Sequence, residues 1–144
     1  MGTTRAMELR TLEDTRSLAR SLVELAPPGT LILLIGALGA GKTTLVQQLG
    51  LELGSDATIT SPTYTLIHEY PTPEGTLVHV DAYRLPQVAA LLDLGLEDYL
   101  ERSRLVVVEW GEGLVEPYPD AVVVRLKLEG EGRHAEVASP HDRT

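Results

Sequence analysis

The run TLILLI, residues 30–35, passes without a gap into GALGAGKTT, residues 36–44. Six residues that are nearly all apolar mark a strand buried on both faces, as in the middle of a parallel sheet. Three of the chain's 13 glycines then fall between positions 36 and 41, followed at once by Lys42, one of two lysines in the protein. Beyond it Leu45, Leu49 and Leu53 recur four apart, a helical period, and Gly54 stands where a C-terminal cap favours glycine. Strand, glycine loop and helix in immediate succession point to a mixed α/β architecture.

Gly36-Ala-Leu-Gly-Ala-Gly41-Lys42-Thr43 fits G-x-x-x-x-G-K-[ST] at every fixed position, the phosphate-binding loop (P-loop) of nucleoside triphosphate proteins. Glycines let the backbone turn so that several N–H groups converge on one anion. The helix beginning near Lys42 adds the positive end of its dipole. In such a loop the lysine reaches the β- and γ-phosphates, and the hydroxyl of the next residue, here Thr43, ligates Mg²⁺. An ordinary strand-to-helix turn with glycine caps leaves the lone lysine unexplained.

A site of this kind also needs a carboxylate at the end of a neighbouring strand. Asp81 closes TLVHVD, residues 76–81, and Glu109 lies near the end of LVVVEW, residues 105–110. Each strand would carry its acid to the carboxyl edge of the sheet, where open α/β sheets bind ligands. The residues alone leave open which acid holds the metal and which orients the attacking water. Ser61-Pro62-Thr63-Tyr64 occupies the interval in which such proteins carry a γ-phosphate-sensing switch, although a plain turn suits S-P-T equally well. Trp110, if the strand alternates, faces opposite to Glu109 and into the core; if exposed instead, it could stack on a base or a partner.

Elsewhere, residues 6–10 (AMELR) read as a first short strand. Thr11 and Asp14 form a capping box for a helix with Leu18, Leu22 and Leu25 on one side, stopped by Pro27, Pro28 and Gly29. Residues 64–70 (YTLIHEY) alternate like a strand, PTPEG reads as a turn, and residues 85–100 look helical with a break near Gly95. Residues 121–128 and 134–138 read as a terminal hairpin around EGEG. The expected fold is α/β: a single P-loop domain over residues 1–144, with a mostly parallel central sheet, flanking helices and a C-terminal β-hairpin.

Composition removes several classes of function. Without cysteine there is no disulfide and no zinc–thiolate site, and His68, His79, His134 and His141 are scattered without metal-ligand spacing. With 21 acidic against 12 basic residues the net charge is −9, which argues against autonomous binding to a phosphate backbone. Any link to RNA would run through a partner. No apolar run approaches the roughly 18 residues of a membrane span, and MGTTRAMELR has no apolar signal region, so a cytoplasmic protein is expected. The absence of asparagine rules out the N-K-x-D guanine motif, so ATP is the expected nucleotide. The alternative is a small-molecule kinase, which needs an acceptor pocket and usually an arginine-rich lid; Arg102 and Arg104 are the one close arginine pair.

The set G-x-LGAGKTT, SPTYTL with a following E-Y, H-V-DAYRL, L-x-L-G-L-E-D-Y and VVVEW-x-E occurs in that order between about Thr11 and Arg133. It resembles the TsaE (YjeE) family, the bacterial ATPase of tRNA threonylcarbamoyladenosine synthesis. The resemblance implies a compact P-loop domain that hydrolyses ATP slowly alone and works with a TsaB–TsaD complex, reaching tRNA only through those partners and performing no threonylcarbamoyl transfer itself. It further implies that Leu38, Gly39, Ala40, Gly41, Lys42, Thr43 and Thr44 hold the phosphates and that Thr43 and Glu109 are the Mg²⁺ ligands. Asp81 would be the second essential acid, helping orient water or metal, and Thr63 would belong to the switch. Trp110 would lie close to the nucleotide, and Leu12, Thr15 and Arg133 would flank the adenine side. Two positions depart from the family pattern: Ala37 replaces an acid and Gly111 replaces a proline.

Overall fold

The apolar run at residues 30–35 becomes the middle one of seven strands that form one sheet among the described residues. The computed structural model describes residues 3–36, 41–55, 67–81, 95–130 and 132–139. Its strands are β1 (Thr3–Leu9), β2 (Thr30–Ile35), β3 (Ile67–Thr72), β4 (Gly75–Asp81), β5 (Leu105–Glu109), β6 (Val122–Glu129) and β7 (Gly132–Ser139). Its helices are α1 (Leu12–Leu25), α2 (Lys42–Glu52) and α3 (Leu96–Arg102), and a 3-10 turn at Gly111–Leu114 follows β5. In space the strands run β1-β7-β6-β2-β5-β4-β3. The four strands β6, β2, β5 and β4 are parallel, and both margins are antiparallel. This is the α/β sheet with flanking helices and C-terminal hairpin that the sequence predicts, its parallel character confined to the centre.

The continuous apolar runs follow from burial on both faces. Ile32 and Leu34 of β2, with Leu105 and Val107 of β5, pack against Leu18 and Leu22 of α1 and Leu45 and Leu49 of α2. Leu31, Leu33, Val106 and Val108 point the other way, into a second core with Leu96 and Leu114. Each such side chain contributes about 1.5–3 kcal/mol relative to an exposed one. Helix α1 starts as its capping box predicts: Thr11 Oγ1 accepts from the Asp14 N–H at 3.3 Å, and Asp14 Oδ2 accepts from the Thr11 N–H at 3.1 Å.

Some boundaries differ from expectation. Strand β1 begins at Thr3, because its full length pairs with β7, a partner some 130 positions away that local pattern does not show. The PTPEG turn is shorter: Pro71 and Thr72 belong to β3 and pair with Thr76 and Gly75. Proline is tolerated there because, among the described residues, β3 is the edge strand of the sheet. The expected strand residues 64–66 and helical residues 85–94 lie outside the described residues.

Five strands, β1, β2, β4, β5 and β6, end at one edge of the sheet, and β7 begins there. That edge collects Leu9, Ile35, Asp81, Glu109 and Arg133.

Candidate active site at the carboxyl edge

Strand β2 leads through Gly36 toward α2. Leu38, Gly39 and Ala40 lie outside the described residues, as does Thr63. Gly41 is the N-cap of α2 with φ 99° and ψ 17°, a left-handed conformation that glycine adopts without steric cost. No side chain caps the helix, and an N-terminus of this kind presents its amide donors and positive dipole end to an anion. Thr43 and Thr44 follow in the first turn, while Leu45, Val46 and Leu49 anchor α2 in the core.

Lys42 is 5% exposed. Its Nζ donates to the Gly36 carbonyl at 2.5 Å and sits 3.7 Å from the centre of the Trp110 ring. The ammonium therefore spans from the exit of β2 to the exit of β5. Trp110 itself corrects the sequence expectation. It still packs, half-buried, against the second core, but it is the residue just past β5 rather than an alternating strand residue, with φ 61° and ψ 44°. Among the described residues no other non-glycine has positive φ, and a bulky side chain held there costs on the order of 1–3 kcal/mol. The turn brings the indole under Lys42. Gly111 follows so closely on β2 that an added Cβ would meet Leu33 at 3.0 Å.

Glu109, 5% exposed, is the last residue of β5. Its backbone register partners are Leu34 of β2 and Asp81 of β4, so the fold sets both acid positions side by side at the strand ends. Its Oε2 lies 2.5 Å from Nε2 of His79, a fully buried histidine of β4. Spacing gave His79 no role. The available signal was a lone polar residue inside the apolar strand TLVHVD, two positions before Asp81.

Arg133 is the second residue of β7, and its aliphatic stem crosses the last glycine of the loop: a Cβ at Gly41 would meet Arg133 Cδ at 3.2 Å. Leu9, which ends β1, is the register partner of Arg133. Leu12 and Thr15, in the first turns of α1, therefore start from the same corner; Leu12 is 61% exposed. The edge thus gathers Gly41, Lys42, Thr43, Thr44, Glu109, Trp110 and the backbone of Asp81, with Leu12, Thr15 and Arg133 at one flank.

The donor chemistry fits a hard cation. Thr43, in the first turn of α2, and Glu109, at the end of β5, each offer an oxygen donor. Mg²⁺ commonly takes one or two protein oxygens of this kind beside waters and phosphate oxygens.

The model of the family "Threonylcarbamoyl adenosine biosynthesis protein TsaE" matches residues 9–137. The chain belongs to the TsaE family. Among its TsaE relatives, one from Streptomyces coelicolor is 48% identical over 104 residues, 70% of each chain. Another from Treponema pallidum is 36% identical over 124 residues, covering 85% of this chain and 91% of its own. Both carry the name tRNA threonylcarbamoyladenosine biosynthesis protein TsaE. The TsaE fold seen here is similar to the crystal structure of Bacillus subtilis YdiB, with a TM-score of 0.76 and 28% identity over 96% of this chain and 87% of that one. No helix among the described residues is long and apolar enough to cross a membrane.

Proposed function

We propose that this protein is the ATP-binding and ATP-hydrolysing subunit of the machinery that makes N6-threonylcarbamoyladenosine in tRNA, acting in the cytoplasm with a TsaB–TsaD complex. The observation that carries the reading is the meeting of Lys42, at the start of an uncapped helix, with the Glu109–Trp110 strand end across one sheet edge. Family membership supplies the pathway.

In this reading Gly36 to Thr44 cradle the phosphates and Lys42 neutralises their growing charge. Thr43 and Glu109 would hold Mg²⁺, and Asp81 would help orient water or metal. Bound Mg²⁺ supplies charge neutralisation at the phosphate oxygens. The protein's own share is positioning and electrostatics, which is most of what phosphoryl transfer requires. With a net charge of −9, tRNA is reached through the partners.

The test is a pull-down of TsaB–TsaD with and without ATP, with phosphate release measured on the same mixture. Slow release alone and faster release with partners are expected. Transfer of labelled γ-phosphate to a metabolite rather than to water would replace this reading with the kinase alternative.

A further inference from the structure

Resting on that reading, we infer that His79 is a positioning residue that sets the Glu109 carboxylate for its metal. The imidazole is fully buried in β4, two residues before Asp81, with Leu77 and Val78 equally buried beside it. Its Nε2 lies 2.5 Å from Glu109 Oε2. An ionised carboxylate only accepts, so Nε2–H is the donor when Glu109 serves as a ligand. Among the described residues Nδ1 has no hydrogen-bond partner.

A buried imidazole with one nitrogen unsatisfied is costly to the fold. A leucine or valine would pack the inner position of β4 without that cost. The polar residue gains from one contact only, and that contact fixes one oxygen of a carboxylate ending the neighbouring strand. Metal-ligating groups are commonly oriented by such outer partners, whose loss weakens metal affinity about 10–100-fold. His79 thus belongs to the metal machinery without touching nucleotide.

The experiment is calorimetric titration of Mg²⁺ into the folded protein saturated with ADP, on the wild type, His79→Leu, His79→Gln and His79→Asn. The glutamine amide nitrogen falls near the place of Nε2, whereas that of asparagine falls near Nδ1. His79→Leu and His79→Asn should raise the apparent Kd for Mg²⁺ about 10–100-fold, and His79→Gln should restore most of it. Equal Mg²⁺ affinity in wild type and His79→Leu overturns the inference while leaving the ATPase reading standing. If His79→Leu does not fold, equal affinities for the Gln and Asn variants overturn it in the same way. A wild type that takes up no Mg²⁺ with ADP sinks both.

Discussion

The ammonium of Lys42 lies 3.7 Å above the centre of the Trp110 ring, joining the first residue of α2 to the first residue after β5. A contact of this kind is worth about 0.5–2 kcal/mol. Together with the Gly36 carbonyl it holds the ammonium at this edge of the sheet.

Phosphate should draw Lys42 away from the indole. Trp110 is the chain's one tryptophan, so its emission reports the change directly. Adding ATP with Mg²⁺ is expected to alter the fluorescence of the wild type and to leave Lys42→Ala unresponsive. An equal response in the variant would separate Trp110 from the phosphate site.

Lys42→Ala, Thr43→Ala and Glu109→Gln should each lower turnover about 10²–10³-fold, the usual loss when one well-placed transition-state contact is removed. The glutamine keeps an acceptor for His79, so the fold should stay intact by circular dichroism. Glu109→Ala strands the buried imidazole and should cost a further 1–3 kcal/mol, roughly, in urea unfolding. Near-wild-type turnover in all of them would remove the site assignment.

Asp14 should make α1 sensitive to acid. The backbone N–H of Arg10, then that of Thr11, donates to its carboxylate and holds its pKa below the ordinary 3.8. A depressed carboxyl stabilises the fold above its unfolded pKa, and that contribution disappears as pH falls through the lower folded value. The stability gap between wild type and Asp14→Ala should therefore be open at pH 6 and close progressively below about pH 4. A gap that does not change with pH would show that the capping box acts without the charge.

Gly29 links α1 to β2 with φ 84°, and a Cβ there would lie 2.9 Å from the Leu100 carbonyl oxygen. Gly29→Ala meets both a left-handed backbone and a rigid clash, so a loss of about 1–3 kcal/mol is expected. That corresponds to a fall in Tm of roughly 2–4 °C per kcal/mol for a chain of this size. Gly95→Ala, where nothing among the described residues lies within 4 Å, should cost less. Equal losses would assign the effect to backbone strain alone.

The residues that speak through their neighbours in sequence were legible without coordinates. TLILLI had to be a strand buried on both faces, Thr11 and Asp14 had to cap a helix, and Gly41-Lys42-Thr43 had to open another, because each rests on interactions within a few residues. The apolar period and the single lysine in its glycine loop therefore carried the fold class and the place to look for the site. Beyond the local C-terminal hairpin, pairing between distant strands was out of that range. Only tertiary structure set β1 against β7, admitted Pro71 to an edge strand, turned Trp110 beneath Lys42 and put His79 against Glu109, 30 positions away. The period of a segment says which face is buried, but the partner that face meets is chosen by the closing of the whole sheet.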